Sequence, residues 1–204
     1  MIGGGGVRWS EGVGRVRPPH PPPSLLLEES RKTAAVGMLI ALGSWAMLFA
    51  SLFFAWAALR LRAPEWPPAG TPRLPIALPA FNTAVLLASG FALRAGLATR
   101  TAGARARGLL GTLALGVLFL GLQLAVWIPL WRSGFTVSSG VAGSIFYALT
   151  VLHALHVAGG IVALAALLPL AGSLTFEGRG RVVAMYWDFM AAVWLLVFLA
   201  VYVA

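Results

Sequence analysis

Two histidines, His153 and His156, lie three residues apart inside the segment between Arg132 and Glu177, which carries no formal charge. Residues at this spacing share one face of a helix, so the two imidazoles should point the same way. They could ligate a metal, hold a haem, or hydrogen-bond a neighbouring helix. A long apolar segment is typical of a membrane span, where histidine is costly and normally faces the interior of a helix bundle. We therefore expect both rings to face the bundle.

Haem and metal binding are both disfavoured by the supply of ligands. The axial ligands of a haem approach from opposite sides, which one helix face cannot provide, and the third histidine is His20, near the N-terminus. A metal site would have to recruit Asn82, Gln123 or Asp188, because the chain has no cysteine. We predict no cofactor in this chain. We expect the histidine pair to hydrogen-bond Gln123 or polar groups of the first two helices.

Asp188 is the sole acid within the apolar segments. It should lie about 9 Å inside the predicted cytoplasmic surface, close enough for Arg179 or Arg181 to reach it. The alternative is a proton-relay carboxylate, which would need partners from elsewhere, because the apolar segments contain no second acid. His156 should lie roughly 18 Å deep by the same helix rise. We therefore predict an arginine, backbone or intersubunit partner for Asp188, and no His–Asp pair.

Composition places the chain in a membrane. Apolar residues make up 59% of the sequence and charged residues 10%, and the charges cut it into apolar segments that are each long enough to cross a bilayer as a helix. The predicted fold is an all-α integral membrane domain over residues 34–204. Residues 1–33, which are rich in glycine and proline, are predicted to form a disordered cytoplasmic tail. The five predicted transmembrane helices span about residues 34–59, 74–93, 109–131, 141–170 and 182–204.

The basic residues predict the orientation. Lysines and arginines are more numerous in the N-terminal segment and the second and fourth loops than in the first and third loops, whose basic residues are Arg60, Arg62, Arg73 and Arg132. The positive-inside rule then places the N-terminus in the cytoplasm and the C-terminus outside. The formal net charge of +9 is explained by this bias and by anionic headgroups. We predict no nucleic-acid partner.

The sequence around the histidine pair resembles subunit III of the haem-copper terminal oxidases. A family pattern Thr-x-x-His-x-x-His-Val-x-x-Gly is matched by Thr150, His153, His156, Val157 and Gly160. The last helix is similar to the family through Tyr186, Trp187, Val193 and Trp194. Asn82 and Gln123 match positions of the second and third helices, so the resemblance extends from about residue 37 to residue 202. The chain resembles the short, five-helix form of the family.

Carboxylates typical of that family are mostly replaced. The family usually has glutamate where this chain has Trp45 and Val126, and it has histidine and aspartate in the last helix where this chain has Asp188 and Ala191. In the family these carboxylates are implicated in proton uptake. The resemblance therefore implies a divergent member that keeps the helix-packing scaffold.

The resemblance implies a function and partners. It implies a non-catalytic, stabilising subunit of a bacterial haem-copper respiratory oxidase, in the bacterial cell (inner) membrane. Haem and copper would reside in the partner catalytic subunit, and other oxidase subunits would complete the complex. Full-length members imply a split bundle, in which helices 1 and 2 form one group and helices 3 to 5 the other. Bound phospholipid would lie between the two groups.

Two alternatives remain open. One is a subunit III-like protein associated with nitric oxide reductase, and the other is a small, independent membrane transporter. A transporter should line a path with polar residues, and those in the apolar segments are thinly spread. The candidate site residues, which combine these polar side chains with the family motif, are Asn82, Gln123, Thr150, His153, His156, Asp188 and Trp194.

Overall fold

The computed structural model describes residues 23–66, 68, 71–72 and 74–203. Within these residues five helices are long and apolar enough to cross a membrane, which confirms the predicted all-α membrane architecture. Their bounds are α1 Pro23–Arg62, α2 Ala77–Leu97, α3 Ala102–Arg132, α4 Val141–Leu167 and α5 Phe176–Val197. A 3-10 turn over Leu168–Leu170 follows α4, and a π-helical turn over Phe198–Val203 follows α5.

Three helices begin earlier than the charges indicated. Helix α1 starts at Pro23, so residues 23–33, predicted as part of a disordered tail, are helical; residues 1–22 of that predicted tail lie outside the described residues. Helix α3 starts at Ala102 and α5 at Phe176. Arginine is a good helix former with a long side chain that reaches water, so a helix continues past the bilayer surface. A charge therefore marks that surface and not the helix end.

The helices pack differently from the predicted grouping. Helices α2, α3, α4 and α5 form a ring of neighbours, and α1 packs outside it on α4 and α5. The expectation that helices 1 and 2 form one group is therefore wrong. Helix α2 belongs with α3, because their backbones meet at two glycines: a Cβ on Gly96 would lie 2.9 Å from the Gly108 Cα. Small residues permit such close helix contact in membranes.

Trp187 of α5 lies at the centre of this ring. The side chain is completely buried, and its indole nitrogen donates to the Ser89 hydroxyl of α2 at 2.9 Å. A Cβ added to Gly116 of α3 or to Gly160 of α4 would lie 3.0 and 2.9 Å from the indole ring. One side chain thus contacts the other three helices of the ring. Gly160 of the family motif is small because the indole occupies the space beside it.

Candidate functional site

His153 lies inside the bundle, in a cage of aromatic rings. It is completely buried, and its ring centre lies 6.4 Å from that of Phe49, 5.8 Å from Phe119 and 5.1 Å from Trp194. Neither ring nitrogen has a hydrogen-bond partner among the described residues. The predicted hydrogen bonds of His153 are therefore wrong. The side chains that α1, α3 and α5 bring to this ring are aromatic, so packing holds it.

His156 lies one turn further along α4 and is half-buried. Its Nδ1 is 2.7 Å from the carbonyl oxygen of Leu152, and because a carbonyl only accepts, Nδ1 carries the proton. The predicted hydrogen bond to another helix is replaced by this bond within α4. The imidazole meets Trp45 and Phe49 of α1 edge to face, at ring-centre distances of 5.3 and 5.5 Å. The Tyr186 hydroxyl of α5 donates to the His156 carbonyl oxygen at 2.6 Å.

A groove of about 520 Å³ runs beside His156 between α1, α4 and α5. We call it the histidine groove. Its walls include Met38 and Trp45 of α1, Leu155 and Gly159 of α4, and Val183 of α5. These side chains are apolar, and the imidazole and the Tyr186 hydroxyl are the polar groups at its edge. The groove can therefore hold an apolar chain, with the imidazole at its edge.

Three other predicted residues tie helices together. Asn82 of α2 donates from Nδ2 to the Gln123 Oε1 of α3 at 3.4 Å. The Trp194 indole nitrogen of α5 donates to the Thr83 hydroxyl of α2 at 2.9 Å. By contrast, the Thr150 hydroxyl donates at 2.9 Å to a carbonyl of its own helix. These residues thus take part in several different helix contacts. The ring of His153 contacts only one of them, Trp194.

Asp188 pairs with an arginine of α2. Its Oδ1 lies 2.9 Å from the Arg94 Nη2, and both side chains are partly exposed. Arg179 and Arg181, which the sequence suggested as partners, lie in the first turns of α5 and do not form this pair. Arg94 is in the last turn of α2. Only the packing of α2 against α5 brings its side chain to Asp188, so the sequence of α5 alone could not identify the partner.

Sequence reasoning missed the hydroxyls that receive the buried indoles. Thr83 and Ser89 lie six residues apart on α2, opposite Trp187 and Trp194, which lie seven apart on α5. The Thr112 hydroxyl of α3 completes this network, because it reaches the Ser89 carbonyl oxygen at 3.3 Å. The matched spacing of small hydroxyl residues and tryptophans on two apolar helices was the available signal. Buried indole N–H groups normally find an acceptor.

The described part of the chain contains no group of three or more histidine, cysteine, aspartate or glutamate side chains arranged to hold a metal ion. Its two buried clusters have other uses. Aromatic rings surround the histidine pair, and hydrogen bonds join α2, α3 and α5. The arrangement can lock helices and hold an apolar molecule at the surface of the bundle.

Comparison with known proteins agrees with this architecture. The family described as Cytochrome c oxidase subunit III matches residues 28–204. Cytochrome c oxidase subunit 3 of Synechocystis sp. is 32% identical over 174 residues, covering 81% of this chain and 73% of the relative. A probable cytochrome c oxidase subunit 3 of Nocardia farcinica is 35% identical over 177 residues, covering 82% and 86%. The protein of that name from Pongo pygmaeus is 33% identical over 186 residues, covering 84% and 70%.

These matches cover most of the chain and include bacterial relatives. They confirm the resemblance read from the motifs of the fourth and fifth helices. Together with the membrane-spanning helices among the described residues, they identify a multi-pass membrane protein. The chain belongs to the cytochrome c oxidase subunit III family.

Proposed function

We propose that this chain is a structural, non-catalytic subunit of a bacterial haem-copper respiratory oxidase, and that it packs on the catalytic subunit in the cell membrane. Haem and copper, in this proposal, belong to the partner. Membership of the cytochrome c oxidase subunit III family supports the assignment of the chain to this complex. The observation that carries the structural role is the use of the motif side chains: Trp187, Trp194 and Gly160 all serve contacts between helices.

The replaced carboxylate positions support the same role. Trp45, where the family usually has glutamate, packs edge to face on His156 and Tyr186. Val126, at the second glutamate position, is buried among apolar side chains. Neither residue can exchange a proton. A proton-delivery role would have to rest on Asp188, whose carboxylate is paired with Arg94.

Helix α1 supplies a surface for partners. Among its described side chains only Phe49 is fully buried, although its length and apolar composition suit a membrane span. An apolar helix face of this kind is covered by lipid or by another helix in the membrane. In the proposed complex, other oxidase subunits and phospholipid share this role. Phospholipid acyl chain fills the histidine groove, whose apolar walls match it.

Co-purification tests the proposed partner. The full chain carries an affinity tag, is extracted from bacterial membranes in a mild detergent, and is captured. We expect a stoichiometric haem-copper catalytic subunit, identified by mass spectrometry and by its haem absorption band. A captured nitric oxide reductase catalytic subunit would move the chain to the alternative complex. Capture of the chain alone, from membranes that contain an active oxidase, would contradict the proposal.

A further inference from the structure

A second pocket lies at the end of the bundle where α1 ends and α2 and α4 begin. We call it the Arg60 pocket. It has a volume of about 340 Å³ and is distinct from the histidine groove. Trp56 and Arg60 of α1 form one wall, Trp66 and Thr71 of the α1–α2 connection form another, and Tyr202 of the π-helical turn lies opposite.

Two tryptophans position the guanidinium of Arg60. Its Cζ lies 5.3 Å from the centre of the Trp56 ring and 6.0 Å from that of Trp66. The two indoles are nearly perpendicular, with ring centres 6.2 Å apart. A guanidinium is weakly hydrated and stacks readily on aromatic faces. The rings therefore hold the cation in place while leaving its charge uncompensated.

Within the described residues the charge of Arg60 has no counter-ion. Its buried Nη1 has no hydrogen-bond partner there, and no described carboxylate pairs with Arg60 within 4.0 Å. Tyr202 also lines the pocket, and its buried hydroxyl makes no hydrogen bond with any described residue. Leaving a buried guanidinium N–H and a buried hydroxyl unpaired is costly. Two residues that line one pocket and carry unpaired donors are complementary to an anionic oxygen group.

The remaining walls of the pocket indicate what carries that anion. They are apolar, so the ligand has an apolar part beside its acidic head; these walls include Leu74, Ile76, Ile145, Phe146 and Val201. The pocket lies at a helix end and not at mid-bundle. Helix ends are where tryptophan and arginine meet lipid headgroups. We propose that the Arg60 pocket binds the phosphodiester of an anionic phospholipid, with Arg60 as its main ligand and Tyr202 as a second donor.

Lipid titration of the purified full chain in detergent, followed by native mass spectrometry, tests this site. The probe is phosphatidylglycerol. Arg60→Gln should weaken the tightest binding step at least about tenfold, the loss expected for a charge-assisted hydrogen bond. Arg62→Gln is the matched control, because Arg62 is exposed in the same last turn of α1 and does not line the pocket. Equal affinities for Arg60→Gln and the unaltered chain, or an equal loss for Arg62→Gln, would overturn the proposal.

Two competitors separate the possible sources of the anion. Diacylglycerol carries the same tails without the phosphate and should not occupy the site, and a millimolar excess of inorganic phosphate should not displace the lipid. Displacement by phosphate would show a small-anion site, and equal binding of diacylglycerol would show that the phosphate is not recognised. Either result contradicts the proposal.

A second variant covers the case in which Arg60→Gln fails to fold. Tyr202→Phe keeps the ring and removes only the hydroxyl. It should weaken phosphatidylglycerol binding a few-fold, about the effect of one neutral hydrogen bond. Unchanged affinity in this variant would contradict the assignment of Tyr202 as a second donor.

Discussion

The hydroxyls of Thr83 and Thr150 are both buried, but they act differently. Each donates to a carbonyl of its own helix. Only Thr83 also accepts a hydrogen bond from another helix, through the Trp194 indole nitrogen at 2.9 Å. Thr150 was a candidate site residue because it belongs to the family motif, whereas Thr83, the neighbour of Asn82, was not a candidate. The difference between them is a single contact between α5 and α2.

This difference leads to a matched pair of isosteric substitutions. Thr83→Val should destabilise the chain by about 1–3 kcal/mol, because it leaves the buried Trp194 N–H without an acceptor. Thr150→Val should change stability by less than about 0.5 kcal/mol, because the carbonyl that it releases keeps its helical N–H partner. Equilibrium unfolding in detergent measures both. Equal losses would show that the Trp194–Thr83 bond contributes nothing specific.

Asp188 provides a prediction about proton transfer. Its carboxylate is partly exposed and paired with Arg94, and a pair of this kind contributes little to stability. Asp188→Asn should therefore leave proton-coupled turnover of the assembled complex nearly unchanged. Oxygen consumption and proton release, measured together in reconstituted vesicles, provide the comparison. A large loss of pumping with normal assembly would show that the carboxylate relays protons.

At the scale of helix packing, two adjacent glycines of α4, Gly159 and Gly160, have different neighbours. A Cβ on Gly160 would lie 2.8 Å from a Tyr186 ring carbon and 2.9 Å from the Trp187 ring, whereas a Cβ on Gly159 would meet the Tyr186 hydroxyl at an ordinary 3.8 Å. The first position is where α5 packs into α4. The second faces the histidine groove.

Alanine at these two positions should therefore have opposite effects. Gly160→Ala should destabilise the chain by about 1–3 kcal/mol through overpacking against Trp187. Gly159→Ala should be neutral, or stabilising by up to about 1 kcal/mol through helix propensity. Thermal unfolding in detergent ranks the two variants. A stable Gly160→Ala protein would mean that α4 and α5 do not pack as described.

Helix number and type were predictable, whereas helix neighbours were not. Each apolar segment must satisfy its own backbone in lipid, so its length alone indicates a spanning helix. Which helices meet depends on contacts such as Gly96 with Gly108, and every apolar helix offers several candidate faces. The aromatic cage of His153 and the Arg94 partner of Asp188 depend on which helices pack together. They could not be derived from either helix by itself.

At the scale of the whole molecule, the described residues form a ring of four helices locked by Trp187 and Trp194, with α1 beside it. One described side chain of α1 is fully buried. The four helices of this ring, α2 to α5, make enough contacts with one another to define how they pack. Helix α1 contacts it through Trp45 and Phe49 and through partly buried side chains such as Leu52 and Phe53, and many of its other side chains are exposed. This division suits a subunit that uses its core for its own stability and its outer surface for lipid and partner subunits.

In the proposed function the chain stabilises an oxidase whose chemistry takes place in another subunit. The most direct measurement is oxygen consumption per haem, followed over time, by the complex with the chain and by the complex from which it has been removed. We expect the initial rates of the two complexes to agree within about twofold, a difference of less than about 0.5 kcal/mol in the activation free energy. We also expect activity to be lost faster when the chain is absent. An immediate and complete loss of turnover, with haem content preserved, would contradict the account.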